Sequence, residues 1–159
     1  MIGIISDTHE QVKAIKKAVK ILKKKKVEFV IHCGDIISPP MLELFKGLKM
    51  KIIFGNNDGE KTGLNSRAEK LGFEEITETK CFEHKGKKFW VVHGKDPDIL
   101  VFAIRDQVYD YIITGHTHET YNRKKGITRI INPGSLLPET PTMAILDIRK
   151  DEVKFINIR

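Results

Sequence analysis

The chain has 159 residues, of which 40% are hydrophobic and 31% are charged, a balance typical of a globular protein that excludes a disordered chain. No apolar run approaches the roughly 18 residues that a membrane-spanning helix needs, so we expect no membrane partner. The net charge of +7 leaves a polyanionic partner open. Most of the excess, however, lies in one lysine-rich segment that has no aromatic residues for base stacking.

The length predicts one domain over residues 1–159, because a chain of this size needs no second core. The first letters, MIGIISD, indicate a β-strand and carry no signal-peptide pattern. Two cysteines, Cys33 and Cys81, are too few for a disulfide scaffold. We therefore expect a reduced, cytoplasmic protein.

The first half of the chain alternates strand and helix patterns. After strand MIGIIS, apolar residues recur every three or four positions opposite the lysines, which predicts a helix through Val12, Ile15, Val19 and Leu22. The elements that follow are a strand over 27–32, a helix begun by Ser38-Pro39-Pro40 and continued through Leu48, a strand KIIFG, and a short helix through Leu64, Ala68 and Leu71. This order predicts a largely parallel sheet with right-handed crossovers.

The second half is richer in strands. TKCFEH and KKFWVVH indicate a β-hairpin around Lys85-Gly86, and a helical stripe at Leu100, Ala103, Ile104 and Val108 precedes strand DYIITGH. Four strand patterns then follow, TYNRKK, ITRIIN, TMAILDIR and EVKFINI. The whole pattern predicts an α/β fold in which helices cover two sheets from outside.

Potential metal ligands occur in five short runs, each directly after an apolar, β-prone segment: SDTH, CGD, GNND, HG and GHTH. The candidate ligands in these runs are Asp7, His9, Asp35, Asn56, His93, His116 and His118. The carboxyl ends of strands are where ligands bind in α/β sheets. Since alternate residues of an extended segment point to one side, Asp7 with His9, and His116 with His118, can each present both side chains into one space.

The chemistry of the candidates indicates the class of metal. Two carboxylates, one amide oxygen and four imidazoles suit transition metals better than magnesium or calcium, which prefer oxygen ligands throughout. We expect two divalent transition metal ions, manganese first, with nickel, cobalt, iron or zinc as alternatives. Two such ions are standard machinery for hydrolysing a phosphate ester.

In order and spacing, the runs DxH, GD, GNxD, HG and GHTH resemble the calcineurin-like metallophosphoesterase superfamily. NPGS at 132–135 is similar to the small, uncapped phosphodiesterase branch of that superfamily. The resemblance implies a four-layer αββα sandwich with mixed sheets. It also implies that one metal is bound by Asp7, His9 and His118, that the second is bound by Asn56, His93 and His116, and that Asp35 bridges both.

The activity implied is hydrolysis of a small phosphate diester by a metal-bridging hydroxide, with Asp35, Asn56 and His93 as catalytic residues. One position departs from the family. Many members have GNHD or GNHE, in which the histidine donates a proton to the leaving group, whereas Asn57 stands there in this chain. We therefore expect a preference for good leaving groups, and we expect Asp58 to hold the loop instead of orienting a histidine.

The remaining chemistry-bearing residues are interpreted as structural. His32 and His84 lie outside the ligand runs, and we expect Phe89, Trp90 and Cys33 to pack in the core.

Two other functions stay open. A eukaryotic retromer subunit of similar fold is a scaffold, but its metal site is impaired, whereas every ligand position is filled here. A nuclease is the second alternative, motivated by the charge of +7 and the lysine helix, which would guide a nucleic acid strand toward the metals. Nucleic acid is thus a less favoured partner, and a homo-oligomer is left open.

Overall fold

The fold described here comes from a computed structural model that covers residues 1–159. The helices are α1 (Val12–Lys24), α2 (Lys61–Lys70) and α3 (Pro97–Asp106), with a 3-10 helix at Pro39–Phe45. The strands are β1 (Ile2–Ile5), β2 (Val30–His32), β3 (Met50–Ile52), β4 (Thr79–His84), β5 (Lys87–Val92), β6 (Tyr111–Ile113), β7 (Thr120–Lys125), β8 (Thr128–Pro133), β9 (Thr142–Asp147) and β10 (Glu152–Asn157).

The strands form two five-stranded sheets with mixed directions. The first has the order β10-β9-β1-β2-β3, in which β1, β2 and β3 are parallel and β9 runs antiparallel to β1. The second has the order β4-β5-β6-β8-β7, with parallel central pairs and antiparallel strands at both edges. The largely parallel sheet predicted for the first half is thus extended by two antiparallel strands from the end of the chain.

The buried side chains form one core layer between the two sheets and one on the outer face of each sheet. Ile2, Ile4 and Ile31 of the first sheet lie in one buried cluster with Phe89 and Ile113 of the second. Because successive side chains on a strand point to opposite faces, the other faces are free for helices. The helices do cover both outer faces, which gives the four-layer αββα sandwich that the family resemblance implied.

The helix α1 fits its sheet closely. Its stripe of Ile15, Val19 and Leu22 is buried on the outer face of the first sheet. Gly3 makes room for it, because a Cβ there would lie 2.3 Å from Leu22 Cδ2. On the far side of the molecule, α3 packs on Trp90 through residues such as Leu100.

Two predicted helices differ from the structure. The helix begun by Ser38-Pro39-Pro40 is a 3-10 helix that ends at Phe45, not an α-helix through Leu48. The two prolines lack the N–H groups that helical hydrogen bonds require, and a 3-10 geometry is common in short connectors. The stripe through Val108 was also too long, because Gln107 takes a left-handed conformation at φ 50° and ends α3.

One carboxylate joins the two sheets at the end opposite the ligand runs. Asp151, in the turn between β9 and β10, accepts two hydrogen bonds of 2.9 Å from the Arg129 guanidinium and one each from Tyr111 and Lys124. These three donors belong to the second sheet, whereas Asp151 follows a strand of the first. The hydrogen bonds from Arg129, together with those from Lys124 and Tyr111, hold the pKa of Asp151 below its usual range.

Replacement of Asp151 by Asn is expected to lower the free energy of unfolding at pH 7 by about 1 to 2 kcal/mol, kept small because solvent screens this partly exposed carboxylate. A carboxylate with a depressed native pKa stabilises the fold above its unfolded pKa of about 3.9, and this stabilisation is lost as the pH falls through the native pKa. Denaturant titrations of both proteins between pH 7 and pH 2 should therefore show a difference that is constant down to about pH 4 and narrows as the pH is lowered further. A difference that stays constant over this range would contradict the assignment.

Candidate metal centre

The five ligand runs meet at one edge of the molecule. The runs after β1, β2 and β3 come from the first sheet, and those after β5 and β6 come from the second. Each run begins within a few residues of the carboxyl end of its strand, as the sequence pattern predicted. The site therefore lies where the ends of both sheets come together.

The first group of candidate ligands consists of Asp7, His9 and His118. Nε2 of His118 lies 3.3 Å from Asp7 Oδ1, and Nε2 of His9 lies 3.9 Å from the same oxygen. Their ligand atoms lie within 4.8 Å of one another, close enough for one ion to contact all three. This is the set that the family resemblance implied for one metal.

Two atoms of this group are buried without a hydrogen-bond partner: Oδ1 of Asp7 and Nε2 of His9. A buried polar atom left unpaired costs free energy, and native proteins rarely keep one without a reason. Both atoms are of the kind that bind a transition metal. The donor set therefore fits a divalent cation, which would satisfy both atoms.

The second group consists of Asn56, His93 and His116. Oδ1 of Asn56 lies 2.9 Å from Nε2 of His93 and 2.9 Å from Nδ1 of His116. Nδ1 of His93 donates to the backbone carbonyl of Cys33 at 2.7 Å, so Nε2, which faces the amide oxygen, is the ring atom left to bind a metal. An imidazole lone pair and an amide oxygen are both acceptors, so their approach suits a shared cation.

Asp35 lies between the two groups. Its Oδ2 atom is 3.5 Å from Nε2 of His9 and 3.7 Å from Nε2 of His93. The carboxylate is almost completely buried, and Asn57 donates to it through both its backbone N–H at 2.9 Å and its side-chain amide at 2.7 Å. One carboxylate thus reaches toward a histidine of each group.

Asp58 holds the loops that carry these ligands, as expected from the sequence. Its buried carboxylate accepts four backbone hydrogen bonds, from Asp35, Ile36 and Ile37 in one loop and from Gly55 in the other, at 2.7 to 2.9 Å. The two loops also approach closely at Gly34, where a Cβ would lie 2.5 Å from the Gly55 nitrogen. The loops after β2 and β3 are therefore fixed to each other.

The backbone is not extended at five of the seven ligand positions, which include both residues of each predicted pair, so that premise of the sequence prediction was wrong. Asp7, His9, Asp35, His116 and His118 all have positive φ angles, between 39° and 69°. As a result, the two side chains of GHTH separate: His118 joins the first group and His116 joins the second. The left-handed turns aim each ligand independently, which alternation along a strand could not do.

Three supporting contacts were not predicted, although the residues that make them lie in or beside the motifs SDTH, CGD and NPGS. Ser6 donates to Oδ2 of Asp7, which also accepts from the His116 backbone N–H at 3.0 Å. The side chain of Asn132, in NPGS, donates to the Gly115 carbonyl at 2.7 Å and so supports the GHTH loop. The Cys33 carbonyl orients His93. Burial dominates the electrostatics of Asp7 and raises its pKa above the usual value.

The residues interpreted as structural lie where expected. His32 is buried, accepts from the Gly34 N–H and contacts the Thr8 hydroxyl, and burial lowers its pKa to about 3, so the ring is neutral. His84 pairs with Glu28 on the surface. Cys33, Phe89 and Trp90 are buried in the core.

The comparisons with known proteins agree with this geometry. The family model described as the calcineurin-like phosphoesterase superfamily domain matches residues 1–151, and the chain belongs to that superfamily. It is similar to phosphodiesterase MJ0936 of Methanocaldococcus jannaschii, at 38% identity over 98% of this chain and 97% of that protein. The chain is thus a hydrolytic phosphoesterase of a metal-dependent family.

Solved structures show the same fold. A structure described as a novel archaeal phosphodiesterase superimposes with a TM-score of 0.91 at 37% identity, covering 98% of each chain. Vacuolar protein sorting 29 of Cryptosporidium parvum matches with a TM-score of 0.70 at 21% identity, covering 98% of this chain and 95% of that one. The second match shows the fold alone. No helix has the length and apolar character needed to cross a membrane.

Proposed function

We propose that this chain is a single-domain phosphodiesterase that hydrolyses small phosphate diesters at a dinuclear centre. The observation that carries the proposal is the position of Asp35, with one carboxylate oxygen 3.5 Å from His9 of the first group and 3.7 Å from His93 of the second. A relative at 38% identity that is named a phosphodiesterase supports the same activity. All seven candidate ligands are assigned to the two metals as the family resemblance implies.

Two divalent cations, manganese first among them, supply a hydroxide nucleophile near neutral pH and positive charge for the phosphate oxygens when they are bound. The chain supplies the positions. The Cys33 carbonyl fixes the ring of His93, and the Ser6 hydroxyl and the His116 N–H fix the carboxylate of Asp7. Asn56 and His93 would take part through the second metal, because they would hold it where its positive charge can stabilise the charge that develops in the transition state.

Asn57 defines the class of ester. Its side-chain amide donates to Asp35 at 2.7 Å and has no titratable proton, so it positions the carboxylate but cannot protonate a leaving group. Diesters whose leaving group is stabilised as an anion are therefore the favoured substrates, and monoesters of simple alcohols are disfavoured.

Metal removal is expected to abolish hydrolysis of bis(p-nitrophenyl) phosphate and to lower the melting temperature, because the unpaired atoms of Asp7 and His9 lose their partner. Stripped protein refilled with manganese, nickel, zinc or magnesium should recover both properties, least with magnesium. Activity and melting curves are measured on the same samples. Full activity in protein that contains no metal would overturn the proposal.

One observation keeps the nuclease alternative open. None of the eight lysines at positions 13, 16, 17, 20 and 23–26 forms a salt bridge, so the outer face of α1 carries uncompensated charge. Cleavage of DNA or RNA, with binding that weakens steeply as salt rises, would favour the nuclease. A stable protein complex that survives metal removal, with no ester cleaved, would favour a scaffold.

A further inference from the structure

A cavity of about 480 Å³ opens beside the second ligand group. It lies between the loop after β3 and the segment that joins β5 to α3, and Asn56 and His93 form part of its wall. This volume falls within the usual range for small-molecule sites and exceeds what a phosphate group alone requires. The cavity is therefore placed to hold a substituent of an ester whose phosphorus lies at the metal centre.

The lining of the cavity is mixed, with three hydrophobic residues among fourteen. Phe54, Val92 and Ile99 are its hydrophobic residues, and Ile99 is 47% exposed at the start of α3. Exposed apolar surface gains free energy when a ligand covers it. A mixed lining around a cavity of about 480 Å³ suits a substituent that contains a ring and polar groups more than a small alkyl group.

Every charged side chain that lines the cavity has a hydrogen-bond or salt-bridge partner, with one exception. Asp58 is saturated by four backbone N–H groups, Asp96 accepts from the Asp98 N–H at 3.0 Å as the cap of α3, and Glu78 pairs with Lys61 at 2.5 Å. Lys95 forms no salt bridge and no side-chain hydrogen bond. It is exposed, two residues beyond His93, and free to bind an anion.

We infer that this cavity binds the larger substituent of the diester and that Lys95 recognises a second anionic group on it, such as a terminal phosphate. The inference rests on the proposed diesterase function and names its substrate class: a diester with an apolar or ring-containing substituent that carries a further negative charge. Lys95 acts here as a specificity-determining residue. It has no part in the attack on phosphorus.

The test uses two substrates that differ only in the second anion: the p-nitrophenyl ester of thymidine 5′-phosphate, with and without a 3′-phosphate. Both release p-nitrophenolate, so the reacting ester is the same. The manganese-loaded wild-type protein should prefer the 3′-phosphorylated substrate by about fivefold in kcat/KM, as expected for one partly exposed ion pair, and the preference should shrink as salt is added.

The variant Lys95→Gln should reduce this preference to near one, and Lys95→Glu should reverse it. Lys20→Gln, on the exposed face of α1, removes the same charge far from the cavity and should keep the wild-type preference. Binding of thymidine 3′,5′-bisphosphate and of thymidine 5′-phosphate, measured by calorimetry with the same proteins, gives a readout that needs no turnover.

The outcomes separate this inference from the proposed function. Equal use of both substrates by the wild type, or an unchanged preference in Lys95→Gln, overturns the role of Lys95 while leaving the diesterase intact. Tighter binding of the bisphosphate that is lost in Lys95→Gln, without cleavage of either ester, supports the cavity and removes the diesterase. Equal binding of both nucleotides without cleavage contradicts both.

Discussion

Replacing Asp35 with Asn should lower kcat/KM for bis(p-nitrophenyl) phosphate by about a thousandfold or more, equivalent to about 4 kcal/mol of transition-state stabilisation. Asp35 places one carboxylate oxygen 3.5 Å from His9 of the first ligand group and 3.7 Å from His93 of the second. An amide has the same shape but carries no charge and binds a cation through a single oxygen, so both metals should bind more weakly.

The measurement pairs steady-state kinetics with metal content determined by mass spectrometry. Asp106→Asn is a matched control, because Asp106 is exposed at the end of α3 and pairs only with its neighbour Arg105. It should retain full activity and full metal content. If Asp35→Asn bound two metals and kept wild-type turnover, Asp35 could not be the bridging ligand and the dinuclear proposal would fail.

Replacing Asp58 with Asn should cost about 3 to 5 kcal/mol of unfolding free energy, which is a large fraction of a typical protein's stability. Its carboxylate accepts four backbone N–H groups at 2.7 to 2.9 Å, and it is buried. In the variant, one acceptor oxygen becomes an NH₂ group that faces other donors, so two of the four N–H groups lose their partner. The melting temperature should fall by about 10 °C.

Denaturant unfolding of the metal-free proteins isolates this effect from any change in metal affinity. Asp147→Asn is the comparison, because Asp147 accepts a single N–H, that of Arg149, in an exposed turn. It should lose no more than about 1 kcal/mol. If Asp58→Asn were as stable as Asp147→Asn, the loops after β2 and β3 would not depend on the shared carboxylate.

Much of the fold follows from local patterns. The hairpin of β4 and β5 and the four strands β7 to β10 lie where alternation and turn residues predicted them, because these signals are local in the chain. The layer order needed the family resemblance, since periodicity tells which face of an element is buried but not what covers it. The 3-10 helix after Ser38 differs because helical periodicity alone does not distinguish a 3-10 turn from an α-helix.

The residue pattern alone predicted the composition of the site, whereas its arrangement in two groups came from the family resemblance. The residue types after the strands indicated which side chains would meet, because parallel strands bring their carboxyl ends to one edge. The separation of His116 from His118 depends on backbone turns that residue spacing does not encode. The contact of Asn132 with the Gly115 carbonyl joins residues 17 apart in the chain, and the contact of Ser6 with its neighbour Asp7 depends on side-chain conformation, so neither follows from a local pattern.

The positive φ angles at five of the candidate ligands bear on how this protein should be engineered. Asp and His are among the few non-glycine residues that tolerate the left-handed region, so the same residue types can bind a metal and adopt a positive φ angle. Alanine at His9 or His118 would remove the imidazole and keep the steric strain of a Cβ, whereas glycine would remove both. Glycine variants are therefore the cleaner way to delete a ligand, since a loss of activity in them reports on chemistry and not on a distorted turn.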